Sequence, residues 1–221
     1  MRTLAVNAFV SLDGVMQALG APEDPTGGFT HGGWSVNYWD DEMMGWMAAA
    51  GPYELLLGRG TYEIFAAHWP YTDGPIADQL NGTRKHVAST TLEHLEWKNS
   101  TLITGDIAEY VAMLTSQDGP EIQVQGSPGL IQSLLNRELI DEFRIWIFPL
   151  VIGTGKRLFG AGTIPAGLKL VDSKVSRTGV TINTYERAGD IDRGSFALAE
   201  PTEAEIERRR RLADGLSRSP G

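Results

Sequence analysis

The sequence predicts an α/β protein with a mixed, mainly parallel sheet. Three observations carry this. Short apolar runs end at glycine, segments with helical spacing lie between them, and two strand-like segments close the pattern. Alternation over Leu4 to Val10 suits an opening strand, and Glu42 to Ala50 a helix stopped by Gly51-Pro52. Tyr53 to Leu57 is a buried strand type ended by Gly58, and Thr61 to Ala67 resumes a helix. His86 to Ala88 and Thr101 to Ile103 are two more strands. Ile107, Val111 and Leu114 recur at helical spacing before the Asp118-Gly119-Pro120 turn. Glu121 to Gln125 reads as strand, and Gly126-Ser127-Pro128-Gly129 opens a helix bearing Leu130, Ile131, Leu134 and Leu135. Asp141 to Val151 reads as one long strand, and Leu168 to Val175 with Gly179 to Tyr185 forms the closing antiparallel pair.

The chain has 221 residues, enough for one sizeable core, and 42% of them are hydrophobic. Residues 1–189 read as one domain without an internal linker, and 190–221 as a charged tail. In the tail, Glu203 to Leu212 has Glu-to-Arg pairs at helical spacing, and the end from Leu216 reads as frayed. The formal charge of −9 argues against a nucleic-acid or anionic-membrane binder. The absence of cysteine excludes disulfides, thiolate metal sites and cysteine nucleophiles. The apolar stretch after Met1 is too short for a signal segment or a membrane span, so a cytoplasmic protein is expected.

Two glycine turns at strand ends could hold an anion. Gly58-Arg59-Gly60-Thr61 and Gly126-Ser127-Pro128-Gly129 each join a strand to a helix, where free N–H groups and the helix dipole favour phosphate. Taken singly, each is read more readily as a tight connection, and neither is a Rossmann fingerprint. Gly153-Thr154-Gly155-Lys156-Arg157 fails as a phosphate loop, because Leu150 replaces its first glycine and Arg157 its Ser or Thr. His31, His68, His86 and His94 are scattered, so no metal is expected. No Gly-x-Ser-x-Gly elbow is present. Two acidic clusters remain, Asp13-Gly14 after the first strand and Asp40-Asp41-Glu42 after Trp39. From residue chemistry alone they read as a turn and an acidic first helical turn.

In order, these segments resemble the dihydrofolate reductase fold, and within it the reductase domain at the C-terminus of the bifunctional riboflavin-biosynthesis enzyme. The resemblance covers about residues 2–187. Its carriers are Ser11-Leu12-Asp13-Gly14, Leu57-Gly58-Arg59-Gly60-Thr61-Tyr62, Val124-Gln125-Gly126-Ser127, Leu139-Ile140-Asp141-Glu142, and Pro149-Leu150-Val151-Ile152-Gly153-Thr154-Gly155. Gly32-Gly33-Trp34 and Tyr38-Trp39-Asp40 resemble the small stand-alone bacterial members.

The resemblance implies a three-layer fold and an NADPH-dependent reductase. By it, Gly58, Arg59 and Thr61 would hold the adenosine phosphate and pyrophosphate, with Ser89 and Thr90 on the adenosine side. Gly126, Ser127, Gly129 and Leu130 would cover the pyrophosphate and nicotinamide ribose, and Ala8 would touch the nicotinamide. Asp13 or Asp41 would be the catalytic acid, and Trp34, Trp39 and Gly153 would line the substrate. The substrate would be a pterin-like or ribosylaminopyrimidine-like heterocycle and the assembly a homodimer. Dihydrofolate reductase itself is one alternative, and a non-catalytic NADP-binding module another. Val15 follows Asp13-Gly14 where the riboflavin group carries a basic residue, and Ser127 replaces a usual glycine.

Overall fold

The computed structural model describes residues 1–20 and 26–216. The strands are β1 (Leu4–Ser11), β2 (Tyr53–Gly58), β3 (Lys85–Ala88), β4 (Ser100–Ile103), β5 (Glu121–Gln125), β6 (Glu142–Phe148), β7 (Leu168–Val175) and β8 (Thr181–Arg187). The helices are α1 (Asp41–Ala48), α2 (Arg59–Ala66), α3 (Pro75–Gly82), α4 (Ile107–Ser116), α5 (Pro128–Leu135) and α6 (Glu203–Leu216). The eight strands form one sheet in the order β4-β3-β2-β5-β1-β6-β8-β7. β4 through β6 are parallel, while β8 runs antiparallel to β6 and to β7.

Strand alternation sorts the core onto two faces. One face carries Leu4, Val6, Ala8 and Val10 of β1 under Val111 and Leu114 of α4 and Leu130, Ile131 and Leu134 of α5. The opposite face carries two separate apolar clusters. Leu55, Leu57 and Val87 pack with Tyr62 and Leu80 on the β2–β3 half. Phe9, Trp146, Phe148 and Val180 pack with Met43 of α1 on the β1–β6 half. Between these clusters runs a buried polar seam made by Asn7, Gln123 and Gln125.

Several boundaries differ from the sequence expectation. β6 stops at Phe148 rather than Val151, because Pro149 has no N–H for the ladder and Leu150 N–H turns back to the Phe148 carbonyl. α2 starts at Arg59, so the expected four-residue turn shrinks to the single N-cap Gly58. α3 has no counterpart in the expectation. Its Gly74-Pro75 entry resembles a loop, but proline is tolerated at the first helical position, and Ala77 and Leu80 are buried. α6 runs four residues past Leu212, and the end expected to fray lies mostly in 217–221, outside the described residues. β6 lies between β1 and β8, and its Phe143, Ile145, Trp146 and Phe148 are buried within the chain. That apolar run therefore gives no reason of its own to expect a second subunit. Exposed Leu168, Leu170 and Val175 lie instead on β7.

By its contacts the chain divides into a body, Met1–Asp190, and a second unit, Ile191–Gly221. In the second unit, Glu205 pairs with Arg208 and Arg209, and Glu207 with Arg211, along the solvent face of α6. Among the described residues no helix is long and apolar enough to cross a membrane.

Candidate active site

Parallel pairing of β1 through β6 brings their carboxyl ends to one edge of the sheet, where clefts form in open α/β folds. The residues that follow β1 (Asp13), β2 (Arg59, at the start of α2), β3 (Ser89), β5 (Ser127) and β6 (Gly153) therefore share that edge.

The ends of β2 and β5 are tied together. The Ser127 hydroxyl accepts the Gly58 N–H at 2.8 Å and donates to Thr61 Oγ1 at 2.8 Å. A Cβ on Gly58 would stand 3.2 Å from the Ser127 side chain. One on Gly126 would stand 2.9 Å from Thr61 Oγ1, and Gly126 also has a positive φ of 62°. Ser127 is held at φ 61° and ψ 62°, left-handed geometry that costs about 1 kcal/mol for a non-glycine residue. Two hydrogen bonds through its own hydroxyl offset that strain. The Ser127 hydroxyl is thus committed to this knot, while the Thr61 hydroxyl, which accepts there, keeps its own proton to donate. At Gly60 and Gly129, in the first turns of α2 and α5, an added methyl would meet no protein atom. Both glycines are exposed.

Arg59 leans from the first turn of α2 to the loop after β3, where its Nη1 donates to Thr91 Oγ1 at 2.9 Å. Glu63 stands 3.8 Å from its Nε, and the side chain is half exposed. The Ser89 hydroxyl accepts the N–H groups of Thr91 and Leu92 at 3.1 and 3.0 Å, a local turn that shapes the loop. Thr90 is exposed. Of this loop, Thr91 is the residue that sequence reasoning missed, because only the folded contact distinguishes it among three neighbouring hydroxyls.

Asp13 has a different occupation from that expected. Its carboxylate accepts the Ser11 hydroxyl at 2.7 Å, Ile152 N–H at 3.0 Å and Gly153 N–H at 2.8 Å. Arg157 stands 3.3 Å from Oδ2 and also donates to the Asp13 carbonyl and, at 2.9 Å, to the Gly153 carbonyl. The Ser11 bond first, then those from Ile152 and Gly153, holds the carboxyl far below the usual carboxylate range. An aspartate so held stays ionised and has no proton to give. It clamps the loop after β6 to the loop after β1, and Gly153, at φ 88°, spends its N–H on that clamp rather than on a substrate.

Asp41 is exposed at the start of α1, whereas Asp40 caps that helix by accepting Met43 N–H at 2.8 Å. Trp34 and Trp39 pack on the aromatic cluster of the β1–β6 half. Trp34 meets Phe148 edge-on at 5.3 Å, and Trp39 stacks on Trp146 at 5.8 Å and touches Phe9 at 5.4 Å. Both indole N–H groups are used internally, on the Gln17 carbonyl and on Ser35 Oγ. The Ala8 methyl points into the opposite core and is fully buried, so it faces away from Asn7 and Phe9. Asn7 is on the face with the tryptophans, and a contact at Ala8 would be made through its backbone.

A nicotinamide dinucleotide phosphate fits these residues in kind. Open first turns of α2 and α5 suit a pyrophosphate, and a half-exposed guanidinium beside a threonine hydroxyl suits a further phosphate. Among the described residues no group of three His, Asp or Glu could hold a metal ion.

Comparison with known proteins places the chain. The family model of the RibD C-terminal domain matches residues 2–182. The chain is 29% identical over 140 residues to YyaP of Bacillus subtilis, an uncharacterized protein, covering 61% of this chain and 74% of that one. It is 27% identical to YwjB of the same organism, also uncharacterized, over 61% of this chain and 73% of that one. The structure is similar to that of a putative riboflavin biosynthesis protein from Shewanella, with a TM-score of 0.61 and 24% identity, over 84% of this chain and 99% of the other. It is also similar to dihydrofolate reductase from Enterococcus faecalis complexed with NADP(H), with a TM-score of 0.53 and 13% identity, over 84% and 96% of the two chains. The chain has the dihydrofolate reductase-like fold and belongs to the RibD C-terminal domain family.

Proposed function

We propose that the protein is an NADPH-dependent reductase that delivers hydride to a C=N or C=O carbon of a pterin-like or ribosylaminopyrimidine-like heterocycle. The observation that carries this is the meeting of Arg59 and Thr91 beside the open first turn of α2, with that of α5 on the same sheet edge. The bound nicotinamide supplies the hydride, and the residues of the chain bind, orient and exclude water.

Arg59 and Thr91 hold the phosphate on the adenosine ribose, and the first-turn N–H groups of α2 and α5 meet the pyrophosphate. The Gly58–Ser127–Thr61 knot fixes the distance between those two helix ends, so the anion meets donors already in place. Trp34 and Trp39 wall the β1–β6 side and keep water from the reacting carbon. The proton that balances the hydride comes from solvent, since Asp13 is held ionised and Asp41 is exposed.

The test is calorimetric binding of NADPH and NADH, followed by loss of reduced-nicotinamide absorbance across a panel of oxidised pterins and ribosylaminopyrimidines. Tight NADPH binding with turnover of one class supports the reading. Failure to bind either cofactor sinks it, and NADPH binding without turnover on any member would favour the non-catalytic module.

A further inference from the structure

Asn81 and Gly82 close the last turn of α3, and no other asparagine of the chain is followed by glycine. That dipeptide carries a chemistry of its own. A glycine nitrogen, with no Cβ beside it, can reach the side-chain carbonyl carbon of the asparagine before it and displace the amide. Gly82 is exposed, so water and hydroxide reach the peptide bond.

The fold holds the reacting groups apart. Attack needs the Asn81 side chain folded over its own carboxyl-side peptide, whereas a helical residue points its Cβ back toward the helix N-terminus. Both ends of the amide are also engaged. Asn81 Nδ2 donates to the Trp69 carbonyl at 2.8 Å, and Asn81 Oδ1 accepts the Trp97 indole N–H at 2.7 Å. Its main-chain carbonyl accepts from Asn99 Nδ2 at 3.1 Å and from Lys85 Nζ at 3.4 Å. Trp97 and Lys85 are buried, and Leu80 packs in the same cluster as Trp97. These bonds therefore open only when the end of α3 lifts from the β2–β3 half.

We propose that Asn81 is a self-modification site, gated by its bonds to Trp69 and Trp97, where the chain converts asparagine to aspartate and isoaspartate as it ages. When the gate opens, hydroxide takes the Gly82 amide proton and the nitrogen forms a bond to Asn81 Cγ. The Cγ–Nδ2 bond breaks, and the amide leaves as ammonia with a proton from water, which restores the hydroxide. Water then opens the succinimide. Cleavage between Cγ and the Gly82 nitrogen leaves aspartate. Cleavage between the main-chain carbonyl carbon and that nitrogen leaves isoaspartate, with the backbone rerouted through the side chain. Nothing is oxidised or reduced, and water is the one co-reactant. An aspartate cannot donate to the Trp69 carbonyl and sets a negative charge against it. Isoaspartate lengthens the backbone where Asn99 and the fully buried Lys85 are held, so the converted protein should melt lower.

The experiment incubates the full chain at mildly alkaline pH, folded and in denaturant, and follows aspartate and isoaspartate at position 81 by peptide mass spectrometry. A Cβ on Gly82 meets no protein atom within 4 Å, so Gly82→Ala hinders the attack without disturbing the fold. Wild type should convert readily in denaturant and about a hundred-fold more slowly when folded, the worth of two good hydrogen bonds. Trp97→Phe removes one of them and should convert about ten-fold faster than folded wild type. Ser127→Ala, which weakens a contact away from α3, should leave the folded rate unchanged. Absence of conversion in denatured wild type overturns the proposal, as does conversion of folded wild type no faster than that of Gly82→Ala. If Ser127→Ala accelerates the reaction as much as Trp97→Phe, global unfolding sets the rate and the gate is lost. An unchanged rate in a folded Trp97→Phe protein overturns it as well.

Discussion

The Asp13 carboxylate and the Arg157 guanidinium meet at 3.3 Å although 144 positions separate them. Arg157 also donates to the Asp13 carbonyl and to the Gly153 carbonyl, so one side chain ties the loop after β1 to the loop after β6. Those loops follow neighbouring strands at the edge where the ligand is expected. The clamp gives the edge a fixed shape before anything binds.

Asp13→Asn tests clamp against acid. An asparagine can still accept on one oxygen, but its amino group would face donors from Gly153 or from Ile152 and Ser11. Leaving one charge-assisted bond unmade costs about 1–3 kcal/mol, which for a chain of this size lowers the melting temperature by roughly 2–10 °C. Turnover should fall while the pH profile keeps its shape. Arg157→Ala should reproduce both losses, and the double variant should lose less than the sum, because the two residues act as one contact. An Asp13→Asn protein of unchanged stability that lacks one limb of the pH profile would restore Asp13 as the acid.

Asp13 also shows what the sequence could and could not disclose. Its place at the end of β1 is legible, because Leu4 to Val10 alternates and Asp13-Gly14 breaks the pattern. Its task is not, because its donors come from Ile152, Gly153 and Arg157, and no local pattern announces a contact that distant. The same divide runs through the cofactor edge. Gly58, Arg59, Gly126 and Ser127 stand out as glycine-bearing strand ends, whereas Thr91 acquires its place only when β3 pairs beside β2. Lys85 misleads most. A lysine beginning a short strand reads as solvent-facing, yet it is fully buried. Its ammonium donates to the Thr83 and Lys98 carbonyls at 2.7 and 3.1 Å and sits 4.2 Å from the Trp97 ring. Thr83, two residues before it, and the Trp97-Lys98 pair just before β4 make that burial tolerable, and the second of these is not visible from its neighbours in sequence.

Ser127 should be less replaceable than a surface serine. Ser127→Ala removes the acceptor of the Gly58 N–H and the donor to Thr61, and keeps the left-handed backbone strain. We expect a loss of about 2–4 kcal/mol from the two bonds together and a several-fold weaker NADPH affinity as the two helix ends drift. Ser127→Gly relieves the strain by about 1 kcal/mol and should fall between the alanine variant and wild type. Thermal melts rank the three proteins. Alanine equal to wild type would mean the knot is incidental.

Arg59 should choose between the two nicotinamide cofactors. Its guanidinium, freed from Thr91 or sharing it, would pair with the one phosphate that NADPH has and NADH lacks. Arg59→Ala should weaken NADPH by about ten- to a hundred-fold, the worth of a charge-assisted bond, and leave NADH nearly unchanged. Arg59→Lys keeps the charge without the fork and should fall between. Equal losses for both cofactors, measured by calorimetry, would move Arg59 to the pyrophosphate.

The last expectation concerns the opposite edge of the sheet, where His86 is buried between two partners. Its Nε2 lies 2.8 Å from Glu54 Oε2, and its Nδ1 lies 2.8 Å from the Tyr110 hydroxyl. Arg2 reaches the same Glu54 oxygen at 2.8 Å, and Arg84 adds a second positive charge nearby. The partners fit a neutral ring that donates from Nε2 to the carboxylate and accepts the tyrosine proton at Nδ1. Burial pushes the His86 pKa down, against the pull of Glu54. Burial also works to raise Glu54, but the bonds from His86 and Arg2 leave it below its usual value. The unfolded chain therefore takes up a proton at His86 near the ordinary 6.5 while the folded chain resists. Stability should be level above that value and fall as the pH drops below it, by at most about 1.4 kcal/mol per pH unit for one proton. Glu54 has the same sign in a lower window, its contribution being lost as the pH falls below its ordinary 4.5. His86→Gln keeps a donor for Glu54 and cannot titrate, so its melting temperature should stay flat between pH 7 and about 5.5 while wild type declines by a few degrees. If both proteins decline in parallel over that range, the slope belongs to other groups, and His86 is not the residue that ties the fold to pH.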